Sequence, residues 1–124
     1  MKKKEAPFTI KFGKWLEDNP PEKTTVYEIK VIKKESFSLS KWIKEQPHQA
    51  RGLLKAKGDG CYHKISDQSQ RQKPFDCFFI KKAESKMVFY SETEKEFVIV
   101  DAKKIIDLAL SGQKSIKFQD IKII

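Results

Sequence analysis

Residues 26–32 read Val-Tyr-Glu-Ile-Lys-Val-Ile, and this stretch decides the expected fold. Its β-branched and aromatic residues predict a β-strand. Because residues two apart share a strand face, Glu28 and Lys30 should point one way while Tyr27 and Ile29 point the other. A carboxylate binds Mg²⁺ and a nearby lysine stabilises charge on a phosphate, so the pair suits a metal-dependent phosphodiesterase site. The same spacing is also typical of a solvated polar face.

The segments around this strand predict an alternation of helices and strands. Pro47 fits the first turn of a helix that runs to about Lys57, and Gln49 falls at the rim of its apolar face. Ser40 is a candidate cap for a turn through Trp42. Strands are further expected at 8–12, 61–65, 75–80, 87–90 and 96–100, a helix at 102–110, and a last strand or docked extension at 115–124.

Length and composition indicate a small globular protein with a basic surface. At 124 residues, 39% of them hydrophobic, the chain is expected to form a single domain over 1–124, with 1–6 as a flexible tail. The expected class is α/β, or α+β, with a central mixed β-sheet flanked by helices. The net charge of +9 favours a polyanionic partner, above all nucleic acid, although lysine-rich surfaces also serve solubility alone.

No apolar run reaches the roughly 20 residues that cross a bilayer, and no apolar segment of a signal peptide follows Met1-Lys2-Lys3-Lys4. A cytoplasmic, nucleoid-associated protein without membrane contact is therefore expected. In that setting Cys61 and Cys77 are interpreted as reduced thiols rather than a disulfide.

The order of motifs resembles a known enzyme family. The Tyr27-Glu28-Ile29-Lys30 strand, the Ser36-Phe37-Ser38-Leu39 step and the helix with His48-Gln49 are together similar to RecU-type Holliday-junction resolvases of the PD-(D/E)XK nuclease superfamily. The resemblance covers about residues 26–66 well and a later stretch near 97–116 more loosely. It implies a restriction-endonuclease-like fold, catalytic roles for Glu28 and Lys30, and a glutamine, Gln49, that reaches the same site.

Members of this family carry an aspartate on the strand before the Glu-x-Lys strand, and no good candidate precedes Glu28 here. Asp76, near the start of the apolar run 75–80 after Pro74, is the proposed substitute if the strand order is permuted. The alternative for Asp76 is a turn cap or an ion pair with a nearby lysine. Asp67 is a weaker candidate, since its loop setting favours an Asx-turn.

The resulting hypothesis is an endonuclease that cuts branched or structured DNA. Glu28 and Asp76 would bind Mg²⁺ or Mn²⁺, while Lys30 and Gln49 would contact the attacking water or the phosphate. Because junctions have two-fold symmetry, a homodimer is expected. The candidate contacts to the DNA backbone are Lys33, Lys34, Lys41, Arg51 and Lys55, each of which can equally be solvated.

Several other interpretations stay open. The missing upstream acid favours a non-catalytic nucleic-acid-binding protein on a nuclease-like scaffold, and a small protein-interaction factor is a weaker possibility. A zinc site from His48, Cys61, His63 and Cys77 lacks the usual ligand spacing. Trp15 and Trp42 are predicted to be core residues rather than platforms for unpaired bases.

Overall fold

A computed structural model describes residues 6–58, 60–66 and 83–124 of the protein. A 3₁₀-helix, Gly60–Lys64, follows the third α-helix. In chain order the other elements are α1 (Ala6–Asp18), β1 (Thr25–Ile32), β2 (Ser36–Ser38), α2 (Leu39–Glu45), α3 (Pro47–Lys57), β3 (Glu84–Ser91), β4 (Glu96–Asp101), α4 (Ala102–Leu110), β5 (Ser115–Lys117) and α5 (Phe118–Ile121).

The predicted class, a mixed β-sheet flanked by helices, is confirmed. The described part of the main sheet has the strand order β1-β3-β4, with β1 parallel to β3 and β3 antiparallel to β4. A parallel pair needs a crossover, and α2 and α3 lie within the segment that joins β1 to β3. In the β1–β3 register Glu28 lies beside Met87 and Lys30 lies beside Phe89. A second, two-stranded sheet pairs β2 with β5.

The two faces of the main sheet carry separate apolar clusters. One face packs Ile32, Met87 and Phe89 against buried side chains of α2, α3, α4 and α5. The other face packs Tyr27 and Ile29 against α1. The expected alternation along β1 is therefore confirmed, and Glu28 and Lys30 lie on the face covered by α2 and α3.

The predicted strand at 8–12 is wrong, because these residues belong to α1. Phe8 and Phe12 are four residues apart, which places them on one side of a helix, and both are buried against Val88 of β3. Ile10, which shares a strand face with them only in the extended form, is 64% exposed. Burial of the two phenylalanines on the sheet therefore selects the helix over the strand.

The predicted strand at 61–65 is also wrong, since the chain forms the 3₁₀-helix Gly60–Lys64 there. Tyr62 and Ile65 are buried in the main core. Arg51 of α3 donates hydrogen bonds to the carbonyl oxygens of both residues, so a long-range contact stabilises the turn.

The cap of α2 is Ser38, two residues earlier than the predicted Ser40. The exposed Ser38 side chain accepts a hydrogen bond from the N–H of Lys41.

The remaining elements follow the prediction closely. The helices at 47–57 and 102–110 and the strands around 26–32, 87–90 and 96–100 are confirmed. The predicted extension at 115–124 consists of β5 and the single helical turn α5. The predicted strand at 75–80 and most of the predicted tail at 1–6 lie outside the described residues.

The two tryptophans differ in their surroundings. Trp42 is 4% exposed, which confirms it as a core residue. Trp15 is 36% exposed and packs on Phe12 and Phe97 at the edge of the α1 cluster. Among the helices that the structure describes, none is both long and apolar enough to cross a membrane.

Candidate functional site

Glu28 and Lys30 form an ion pair on the face of β1 that is covered by α2 and α3. The Lys30 Nζ lies 3.8 Å from the Glu28 Oε2, and the two side chains are 11% and 26% exposed, respectively. Their neighbours across the β1–β3 register, Met87 and Phe89, are fully buried. The Lys30 ammonium therefore lies at the rim of the apolar core, where a charge needs polar partners to offset its desolvation.

Gln46 supplies the second partner of Lys30. The Lys30 Nζ donates a hydrogen bond to the Gln46 Oε1 at 3.1 Å. Gln46 is the single residue between α2 and α3, and its backbone is held on both sides. Its N–H donates to the Trp42 carbonyl oxygen at 2.8 Å, and its carbonyl oxygen accepts from the Gln49 N–H at 3.1 Å. The helix junction thus fixes the amide that orients the ammonium.

Gln49, the predicted site glutamine, has a different contact. Its Oε1 accepts a hydrogen bond from the Nε1 of buried Trp42 at 2.8 Å. Gln49 was predicted from the family resemblance, together with its place at the rim of the apolar helix face, and Gln46 was not among the predicted site residues. The available signal was the position of Gln46 directly before Pro47, since a residue before proline is biased toward extended backbone and marks a break between helices. Gln46 has such a non-helical conformation, with φ −132° and ψ 52°.

A cleft opens beside Lys30, between the end of β1, β2 and α2. Its volume is about 230 Å³. It is called the Phe37 cleft below, and its lining residues are Lys30, Ile32, Ser36, Phe37, Ser38, Lys41, Trp42, Glu45 and Gln46. Lys30 is therefore paired with Glu28 and at the same time lines an open cavity that has polar and apolar residues in its walls.

The five predicted DNA-contact residues fall into two groups. Lys33, Lys34 and Lys41 are exposed, and Lys41 lines the Phe37 cleft. Arg51 and Lys55 instead lie over the ring of Tyr62, with the Arg51 Cζ 5.3 Å and the Lys55 Nζ 4.9 Å from its centroid. Together with the hydrogen bonds of Arg51 to the 3₁₀-helix, these contacts give the second group a structural role.

Of the acids predicted to bind a metal ion, the structure describes Glu28. Glu28 offers a carboxylate and Gln46 an amide oxygen, both of the hard donor type that Mg²⁺ prefers. In the ranges 6–58, 60–66 and 83–124, no group of three or more His, Cys, Asp or Glu side chains is placed to hold a metal ion. Asp76, the predicted second acid, and the weaker candidate Asp67 lie outside the described residues.

Of the four residues weighed for a zinc site, the structure describes the side chains of His48 and His63. His48 is exposed at the start of α3. His63 is exposed too, and its ring lies 4.0 Å from the centroid of Tyr62. Cys77 and the side chain of Cys61 lie outside the described residues.

Another charged cluster links the end of α3 to the start of α4. Asp101 is the N-cap of α4, and its carboxylate accepts from the Lys103 N–H at 3.1 Å and pairs with the Lys57 Nζ at 3.3 Å. Partial burial opposes ionisation of this carboxyl, but the hydrogen bonds from Lys103 and Lys57 outweigh it. The net effect is a pKa of Asp101 below its ordinary value of 3.8.

Comparison with known proteins adds no relative. The chain matches no protein-family model, no curated protein and no solved structure.

Proposed function

We propose that the protein is a magnesium-dependent endonuclease with a restriction-endonuclease-like fold that acts on branched or structured DNA. The observation that carries the proposal is the Glu28–Lys30 pair. The two side chains share one face of β1 and lie 3.8 Å apart, and Lys30 lines an open cleft. An acid and an ammonium in this arrangement can bind a divalent cation and stabilise the negative charge of a phosphate.

In this proposal Glu28 and Asp76 hold the metal ion. When bound there, Mg²⁺ or Mn²⁺ would supply a water of lowered pKa and would neutralise charge on the scissile phosphate. Lys30 donates to the attacking water or to a phosphate oxygen, and Gln46 keeps its ammonium in place. The Gln49 Oε1 accepts a hydrogen bond from the Trp42 Nε1, and the Gln49 NH₂ group would donate to the phosphate.

The proposed substrate follows from charge and symmetry. The net charge of +9 favours a polyanion; Lys33 and Lys34 are exposed directly after β1, and exposed Lys41 lines the cleft. Paired cuts across a two-fold symmetric junction would need a homodimer, so we include this state in the proposal. A DNA substrate also places the protein in the cytoplasm at the nucleoid.

The test is cleavage of a labelled four-way junction in Mg²⁺, with a linear duplex of the same sequence beside it. We expect Glu28→Gln and Lys30→Met to lower the cleavage rate at least about 100-fold while DNA affinity stays within about threefold, because Glu28 would hold the metal ion and Lys30 would contact the reacting phosphate. Lys103→Met is the matched control, because it breaks an ion pair within α4 in which the Lys103 Nζ lies 3.1 Å from the Asp107 Oδ1. Wild-type cleavage rates in both Glu28→Gln and Lys30→Met would refute the nuclease proposal.

A second candidate is a nucleic-acid-binding protein without catalysis. It is favoured by the finding that the described residues bring no three metal-ligating side chains together. This candidate predicts salt-sensitive DNA binding that is the same in Mg²⁺ and in EDTA, with no cleavage. Calorimetric titration separates the two, since heat of Mg²⁺ binding that disappears in Glu28→Gln supports the nuclease.

A further inference from the structure

The Phe37 cleft combines an aromatic wall with cationic and hydroxyl groups. Phe37 is half-buried and held in place by two rings, Trp42 at 5.9 Å and Phe89 at 5.1 Å between centroids. Because both neighbours belong to the core, the ring of Phe37 forms a rigid wall rather than a mobile side chain. Ser36 and Ser38, the exposed neighbours of Phe37 on β2, add hydroxyl groups to the lining.

Lys41 is the cation that the cleft offers to an anionic ligand. Lys30 is already paired with Glu28 and hydrogen-bonded to Gln46, whereas Lys41 is exposed and shares the lining with the carboxylate of Glu45. The Ser38 Oγ accepts a hydrogen bond from the Lys41 N–H, which leaves the hydroxyl its own O–H as a donor. A ligand with an apolar ring and an attached anionic group would contact the ring of Phe37 and these polar groups at once.

A nucleotide has both an apolar ring and an anionic group, and the cleft is small enough to limit the ligand to one base. The volume of about 230 Å³ is below the range of roughly 300–1,000 Å³ typical of sites for drug-sized molecules. It suits a single base with its phosphate at the mouth. A base inside a duplex is stacked on both sides and cannot lay its face on a protein ring, so the base must be unpaired.

We propose that the Phe37 cleft binds one unpaired nucleotide of a DNA strand, with the base on Phe37 and the phosphate between Lys41 and the serine hydroxyls. The proposal rests on the proposed function for the identity of the polymer. It narrows the substrate class to DNA that carries unpaired nucleotides next to the Glu28–Lys30 pair.

The test measures binding without cleavage. Fluorescence anisotropy of a fluorescein-labelled octathymidylate is followed in EDTA, with a labelled duplex of equal length as the comparison. We expect tighter binding of the single strand, and Phe37→Leu, which keeps apolar bulk against Trp42 and Phe89, should weaken it about fivefold or more. Lys41→Gln should weaken it and lower the salt slope by about 0.7.

Lys44→Gln is the matched control, because it removes the same charge from the same short helix at a position that does not line the cleft. It should leave the preference for the single strand unchanged. Equal losses in Lys41→Gln and Lys44→Gln, together with unchanged binding in Phe37→Leu, would overturn the proposal. A duplex that binds as tightly as octathymidylate would overturn it as well.

A second measurement uses the wild-type protein and does not depend on variants. In NMR titrations, deoxythymidine monophosphate should shift the ring resonances of Phe37, whereas inorganic phosphate should shift only the signals of Lys41 and its neighbours. The mononucleotide should bind more weakly than octathymidylate, and equal affinity would contradict a strand as the ligand. A protein that gives these binding results but never cleaves DNA refutes the nuclease proposal alone.

Discussion

Replacement of Gln46 by Met tests whether this amide holds the Lys30 ammonium. Methionine has a similar length, but its sulfur is a poor acceptor, so the change removes the 3.1 Å hydrogen bond and little volume. Gln46→Glu is the matched conservative variant, since it keeps an acceptor oxygen at the same place.

The expected cost follows from the burial of Lys30. A hydrogen bond to a charged group contributes about 1.5–3 kcal/mol to stability. Lys30 is 9% exposed and keeps its ion pair with Glu28, and Gln46 is half-buried, so water recovers part of the loss. We therefore expect Gln46→Met to lower the free energy of unfolding by about 1–2 kcal/mol and Gln46→Glu by less than about 0.5 kcal/mol.

The assay is urea denaturation followed by tryptophan fluorescence. At an m-value of ~2 kcal/mol/M, Gln46→Met should move the midpoint by about 0.5–1 M. In a double-mutant cycle with Lys30→Met, the coupling energy should be at least about 1 kcal/mol. A coupling energy near zero, or equal midpoints for Gln46→Met and Gln46→Glu, would refute the positioning role of Gln46.

Two further predictions concern stability away from the site. Asp101→Asn keeps the cap of α4 but loses the pairing with Lys57, and should cost about 0.5 kcal/mol at pH 7 because the pair is about one-third exposed. The folded pKa of Asp101 lies below 3.8, so this stabilisation is present above pH 3.8 and is lost as the pH falls through the folded pKa. The difference in urea midpoint between the wild type and Asp101→Asn should therefore vanish in strong acid. A difference that stays constant with pH would contradict this prediction. Phe12→Ala should cost about 3–5 kcal/mol in thermal or urea unfolding, against less than about 0.5 kcal/mol for exposed Ile10→Ala, and similar costs would contradict the packing of α1.

The parts of the fold that the sequence predicted are those with strong local signals. The period-two alternation around Glu28 and Lys30 placed β1 and its two faces correctly, and Pro47 marked the start of α3. Both signals arise within one element, where side-chain spacing or a missing N–H decides the backbone. The relative position of Glu28 and Lys30 could be predicted for the same reason.

The errors have tertiary causes. Phe8, Ile10 and Phe12 match a strand as well as a helix, and only the apolar face of the sheet, with Val88 at its centre, decides between them. The 3₁₀-helix at Gly60–Lys64 depends on hydrogen bonds from Arg51, nine or more positions earlier in the chain. The partner of Lys30 could not be predicted either, because the choice of Gln46 over Gln49 depends on how α2 and α3 meet and on the indole N–H of Trp42.

The proposed metal site is tested by locating Mn²⁺ in a crystal of the protein through its anomalous scattering. We predict one metal peak within about 2.2 Å of a Glu28 carboxylate oxygen, with the carboxylates of Glu28 and Asp76 within about 6 Å of each other. A structure in which these carboxylates lie more than roughly 10 Å apart, with no peak at Glu28, would contradict it.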